Sequence, residues 1–217
     1  IPVLCHPVVT NDISYISLYF DTTVVQEEEL PYVSLLASFL GKLSTKNYHF
    51  SDLSNELNIH IGGISFSNNI YVDNGLDDTF YPKMQVGMKG LMSKIPVMFN
   101  LAEEIILNTR FDDADRMREI IQEIKSRMEM GISQSGHVVA SQRLFSYFSN
   151  IGMYGEKTGG LSYYKFVAEL EKNYKNRFNS LSRILENISR KIFNRNNLLA
   201  GVIQEEVHYN KFQDCVS

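Results

Sequence analysis

Apolar residues recur along this chain first at every second position and later at every third or fourth. Val3–Cys5 is a short apolar run. Ile13–Phe20 follows with Ile16, Leu18 and Phe20 on one face, the period of a half-buried strand. Glu27, Glu28 and Glu29 then place acid where a helix dipole favours it, and Pro31 falls in the first turn. Leu30, Val33, Leu36, Leu40 and Leu43 continue at helical spacing, and Ser51 is placed to cap a short second helix running to about Leu57. Asn58–Val72 alternates again, with Ile64, Phe66, Ile70 and Val72 together, and Gly62-Gly63 interrupts it as a bulge or a close backbone approach would. Asn74-Gly75 is a hairpin signal, and Tyr81–Met92 returns as a strand with Met84, Val86 and Met88 inward.

From Lys94 the period changes to 3.6. Val97–Asn108 reads as one helix. Asp112 and Asp113 open a long one whose stripe is Ala114, Met117, Ile120, Ile121, Ile124 and Met128. Gly131 and Gly136 bend or end it before Val138–Phe148. Leu161–Tyr174 and Phe178–Phe193 are two further helices, the second carrying Leu181, Ile184, Leu185, Ile188 and Ile192. Asn196-Asn197 ends that pattern, and Leu198–Ile203 is a closing strand. Strand runs and helix runs are segregated, which predicts an α+β fold: an antiparallel sheet with helices packed on one face. No repeat, linker or low-complexity stretch divides the chain, so residues 1–217 read as a single domain.

Composition narrows the function classes. A chain of 217 residues can bury roughly 70–75% of its unfolded surface without disulfides or metals. Its net charge of −4 argues against a nucleic-acid binder, which needs a basic surface to displace counterions. Cys5 and Cys215 have no framework spacing and read as free thiols of a reducing compartment, hence a cytoplasmic location. No apolar run reaches the ~18 residues of a membrane span. The chain opens on Ile-Pro rather than Met, which suggests a piece of a longer polypeptide. Asn187-Ile188-Ser189 fits a glycosylation sequon but falls inside a predicted helix and reads as chance.

Candidate chemistry is sparse. His6, His49, His60, His137 and His208 are scattered, and Glu205 with His208 has a Glu-x-x-His spacing that follows a strand and reads as loop. Ser133, Ser135 and His137 read as a helix kink or surface turn, without the G-x-S-x-G elbow of a hydrolase. Gly62-Gly63 and Gly159-Gly160 lack phosphate-loop spacing. Lys172, Lys175, Arg177, Arg183, Arg190, Lys191 and Arg195 make the last third locally basic, a solvated helix face or an inter-domain contact. Tyr163, Tyr164 and Phe166 form an aromatic cluster that reads as core or as a docking surface.

Three segments carry a resemblance: Asp12–Asp21 (DISYISLYFD), Thr45–Ser67 with its GGISFS strand, and Gly159–Glu169 (GGLSYYKFVAE), the last after the helical Ala140–Ser149. Together they resemble the pitrilysin-type, or insulinase-type, zinc peptidases, in the branch containing presequence protease and falcilysin. The resemblance implies the metallohydrolase fold shared with mitochondrial processing peptidase, in a clamshell of two homologous halves. The catalytic domain of that family carries an inverted motif, His-x-x-Glu-His, that holds zinc and polarises a water. Here Leu35-Leu36-Ala37-Ser38-Phe39 stands in its place, and Glu123 roughly matches the distant third ligand. Leu35 and Phe39 cannot bind zinc, and a lone Glu123 reads as a solvated helix carboxylate.

The chain therefore resembles the third domain, the first of the non-catalytic half. It is expected to have no catalytic and no metal-binding residues and to bind no cofactor itself, with zinc in the catalytic domain of the parent endopeptidase. Its substrate-binding residues are not identified. The expected partners are the catalytic half of the same polypeptide and short unstructured peptides, with no nucleic acid and no membrane. Strand Ile64–Val72 offers the kind of sheet edge to which substrate adds in the zinc-bearing domain. The alternatives are a catalytically silent structural subunit and a self-standing enzyme with an unrecognised site.

Overall fold

The structure is a computed structural model and describes residues 1–72, 79–206 and 209–216. Strands β1 (Val3–Pro7) and β2 (Ile13–Asp21) come first, followed by helices α1 (Leu30–Phe39) and α2 (Phe50–His60). The pair β3 (Gly63–Val72) and β4 (Phe80–Leu91) is next. Six helices follow: α3 (Ile95–Asn108), α4 (Ala114–Gln134), α5 (Gly136–Phe145), α6 (Asn150–Thr158), α7 (Leu161–Lys172) and α8 (Tyr174–Ile192). Strand β5 (Leu198–Gln204) and helix α9 (Tyr209–Val216) close the order. The predicted hairpin turn at Asn74-Gly75 lies outside the described residues.

The strands form one sheet in the order β1-β5-β2-β4-β3. It is antiparallel except for its β1–β5 pair, which is parallel. Register aligns the apolar positions into rows across the strands. Val202, Ile16, Met88 and Ile64 make one row, and Ala200, Leu18, Val86 and Phe66 the next. Because side chains alternate across a strand, these rows share one face. That face is covered by the helices: Ile16, Leu18, Met84, Val86 and Val202 are all buried. The α+β reading, with helices on one face, holds.

The opposite face is open. Tyr15, Tyr19, Tyr71 and Tyr81 stand on it with Lys83, Gln85 and Lys89, on three adjacent strands. The Tyr71 hydroxyl donates to Gln85 Oε1 at 2.9 Å, and Gln85 Nε2 donates to Ser17 Oγ at 3.1 Å. The rings of Tyr19 and Tyr71 meet edge to face at 5.6 Å.

Helix α1 is the centre of the helical layer. Val33, Leu35, Leu36 and Phe39 are wholly buried, and Leu30 and Tyr32 nearly so. Around it lie the stripe of α4 (Met117, Ile120, Ile121, Ile124) and that of α8 (Leu181, Leu185, Ile188, Ile192). Each such side chain contributes about 1.5–3 kcal/mol of burial, so this cluster dominates the stability of the fold.

The helix-strand boundary differs from expectation at Gly62-Gly63. Helix α2 runs to His60, so the glycines mark the junction and do not interrupt a strand. The Gly62 N–H donates to Lys89 O at 2.9 Å, and a Cβ there would approach that oxygen to 3.3 Å. The cap of α2 is His49, whose Nδ1 accepts from the Ser51 N–H, and not Ser51. Helix α6 has no counterpart in the apolar periodicity. Gly152 admits the close crossing that turns the chain back, since a Cβ there would lie 2.7 Å from Phe145 O. Helix α8 begins at Tyr174, earlier than its periodicity shows, where the Tyr174 hydroxyl donates to Ala114 O at 2.8 Å.

The Thr45–Tyr48 turn is pinned by Glu104 of α3. Its carboxylate accepts from the Asn47 N–H (3.0 Å), Asn47 Nδ2 (2.9 Å) and Asn108 Nδ2 (2.7 Å). Burial works against this charge, but the hydrogen bonds from Thr45, Asn47 and Asn108 outweigh it and hold the carboxyl below the ordinary value of 4.5. A depressed carboxyl stabilises the fold above its unfolded-state pKa and loses that contribution as pH falls through the folded one. Glu104→Ala should therefore cost about 2 kcal/mol at neutral pH. The gap to the unsubstituted chain should narrow on acidification below 4.5, read by urea unfolding at several pH values.

Candidate functional site

The segment Leu35–Phe39 lies on α1, between the sheet and the other helices. Leu35 and Phe39 point into the core with no exposure, and neither carries a donor atom for a metal. The Ser38 hydroxyl is engaged, donating to Ser34 O at 3.0 Å. Glu123 of α4 is half exposed and pairs with Arg127 one turn on and with Lys42 at 3.6 Å. These residues do not fit a zinc ion. Among the described residues, no three His, Cys, Asp or Glu side chains gather closely enough to hold one.

What α1 presents toward the free edge of the sheet is a face of small residues: Ser34, Ala37, Ser38 and, just beyond the helix, Gly41. The spacing is that of one helix face. Gly41 has φ +77°, the left-handed conformation that a side chain disfavours, so the chain turns off α1 without adding bulk. Two adjoining cavities of about 500 and about 320 Å³ open here and share Ala37, Ser38, Phe66 and Arg127. Their other wall is Gly63–Asn68 of β3, six consecutive residues. Consecutive strand residues point to opposite faces of a sheet, so a groove lined by all of them runs along the strand's edge. Strand β3 is the last in the order, and that edge has no pairing partner among the described strands.

The charged residues that line the groove are Lys42 and Arg127, and among the described residues no carboxylate joins them. Below its inner end lies Tyr163, whose hydroxyl is buried beside Ser38 without a hydrogen-bond partner of good geometry. Burial pushes that hydroxyl far above the ordinary phenol range, so it stays protonated and available as a donor. Asn68 Oδ1 accepts from the Tyr154 hydroxyl at 2.9 Å, and Tyr154 in turn meets Thr22 at 3.0 Å. With its carbonyl so used, Asn68 keeps a buried Nδ2 that has no acceptor among the described residues.

The remaining candidates are dispersed. His6 and His137 are exposed on β1 and α5, His49 caps α2, and His60 meets Glu56 at 3.5 Å and Lys94 at 3.3 Å. Glu205 accepts from the Thr10 N–H at 3.2 Å, and His208 lies outside the described residues. Ser133, Ser135 and His137 fall at the α4–α5 junction, as a helix break at these residues requires. Gly160 lets α7 start against Glu156: a Cβ there would lie 2.8 Å from Glu156 Cα. Buried Glu156 accepts from Arg143 and from both the N–H and the hydroxyl of Ser162, a network that sequence reading misses. Of the aromatic cluster, Tyr163 is core, whereas the Tyr164 hydroxyl reaches Glu129 at the surface. Within the basic stretch, Lys191 pairs with Glu29 and Arg177 donates to the Tyr32 hydroxyl, tying α8 to α1.

A family model for the associated region of M16 peptidases, subfamily C, matches residues 1–170. The chain belongs to this family. This peptidase-associated chain is 38% identical over 216 residues to "Protein HypA" of Clostridium perfringens, covering 100% of the chain and 22% of that protein. It is 30% identical over 202 residues to presequence protease 1, chloroplastic/mitochondrial, of Arabidopsis thaliana, covering 93% of the chain and 19% of the protease. The chain thus spans about a fifth of the curated relatives it matches. Its fold is that of a solved peptidase M16 inactive domain from Pseudomonas fluorescens, at TM-score 0.61 and 15% identity over 99% of the chain and 47% of the other. A conserved protein from Enterococcus faecalis aligns at TM-score 0.67 and 14% identity, over 99% and 49%. The placement among pitrilysin-type peptidases, on the presequence-protease side and as a non-catalytic domain, holds.

Putting a ligand back at the motif position should break the peptidase-associated fold before it makes a metal site. Leu35→His should cost about 3 kcal/mol or more, since an imidazole would enter the core unpartnered, and added zinc should not restore the melting temperature. Ser38→Ala, which removes only a hydroxyl bonded within its own helix, should stay within about 0.5 kcal/mol in the same thermal melts.

Proposed function

We propose that this chain is the non-catalytic domain of a zinc-dependent endopeptidase that degrades short, unstructured peptides. In this reading it walls the substrate chamber and holds a distal part of the peptide, while hydrolysis takes place in another domain of the same polypeptide. The observation that carries it is the groove along the free edge of β3, beside a helix whose motif positions are filled by Leu35 and Phe39. An edge strand offers the N–H and C=O groups of alternate residues to an added strand, and a folded protein cannot present its backbone that way. Restriction to unstructured substrates follows.

Two further surfaces suit this role. The open sheet face, with its tyrosines and the Gln85 network, fits a chamber wall that meets many peptide sequences through ring faces and hydrogen bonds. Helix α5 buries none of its residues, and Leu144, Phe145, Tyr147 and Phe148 at its end are exposed. A ten-residue helix is marginal without packing, so this apolar end fits a contact with the catalytic half. Cys5 and Cys215, both free, fit a cytoplasmic protein. Among the described residues, no helix is long and apolar enough to cross a membrane.

The purified chain should take up no stoichiometric zinc by metal analysis and should leave a fluorogenic peptide uncut. An unstructured peptide should slow amide exchange along Gly63–Val72. Stoichiometric zinc with turnover, or unchanged exchange on β3 at saturating peptide, would each end this reading.

A further inference from the structure

We propose that the β3-edge groove is selective: it takes extended peptides that place an acidic side chain over its inner end, beside Phe66 and Asn68. The inference rests on the peptide-holding role proposed above and adds the chemistry of the peptide.

Charge is the first reason. Lys42 and Arg127 line the groove and, among the described residues, no carboxylate does. Glu123 pairs with both cations from outside, so it balances one positive charge and leaves the other. These pairs sit at the surface, where screening by water makes them weak and open to exchange for a ligand carboxylate. Arginine suits this exchange because its planar fork can hold a carboxylate with two parallel hydrogen bonds.

Unmet hydrogen-bonding capacity is the second. Buried polar groups are nearly always paired, so a buried donor without a well-placed partner calls for an acceptor. Asn68 Nδ2 has no partner, Tyr163 Oη has none of good geometry with Ser38 beside it, and both residues border the inner cavity. The Asn68 carbonyl is already engaged by Tyr154, which leaves the amide nitrogen as the group that seeks a partner. A carboxylate supplies acceptor oxygens and no donor. A lysine or arginine would bring a charge of the same sign as Lys42 and Arg127.

Room and direction are the third. Ser34, Ala37 and Ser38 keep the α1 wall low where the side chain would enter. On β3, Phe66 and Asn68 share the face turned toward the helices. An added strand in register with them turns every second side chain the same way, into this space.

The test uses the chain itself and three fluorescently labelled, unstructured peptides that differ at one central residue: Glu, Gln or Lys. Fluorescence anisotropy should show the Glu peptide binding about tenfold more tightly than the Gln peptide, the change one charge-assisted hydrogen bond produces. The Lys peptide should be weakest. Added salt should weaken the Glu peptide more than the Gln peptide. Tyr163→Phe, which keeps the ring, and Arg127→Gln, at an exposed position that leaves the core untouched, should each weaken the Glu peptide more than the Gln peptide and so shrink the Glu preference. Equal affinity for the Glu and Gln peptides, or a Glu preference untouched by either substitution, overturns the selectivity and leaves the edge-binding role standing. Absence of binding by all three peptides, with no protection of β3, overturns both.

Discussion

The structure depends on the burial of the apolar side of α1. This helix is sandwiched between the apolar rows of the sheet and the stripes of α4 and α8, and Val33, Leu35, Leu36 and Phe39 have no contact with water. A helix in that position must be apolar on almost every side, because a polar group there would lose its hydration without a partner. Leu35 and Phe39 meet that demand with hydrocarbon and add to the core.

The one side of α1 that escapes burial decides where anything else can happen. Ser34, Ala37 and Ser38 are too small to reach the sheet edge, so a groove stays open along β3. Free edges are a hazard for sheets, which tend to pair with other chains. This one is flanked by residues of α1, α2 and α4, which line the groove beside it. Lys42 and Arg127 line it, and the buried Asn68 Nδ2 borders its inner cavity.

Much of this was legible in the residues. The inward sets of β2 and β4 (Ile16, Leu18, Phe20; Met84, Val86, Met88) and the stripes of α4 and α8 are core, because periodicity reports burial directly. Local signals failed where a distant group decides the outcome. His49 caps α2 in place of Ser51, and α2 consumes Asn58–His60 because Gly62 is held against Lys89 across the sheet. The split into α5 and α6 turns on the crossing at Gly152, which no periodicity encodes. The spacing of Ser34, Ala37, Ser38 and Gly41 is visible in the sequence as a face of small residues, but its meaning requires knowing that a strand edge lies opposite.

The sequence by itself determined the class of fold and the composition of the core. Each follows from residue type and spacing, which are local quantities. Only the tertiary structure decided that β3 is the terminal strand, that Lys42 and Arg127 flank its edge, and that Tyr163 and Asn68 lie together beneath it. Those residues are far apart along the chain. Their chemistry exists only because packing around α1 brings them to one place, and no pattern read in order along a polymer contains that distance.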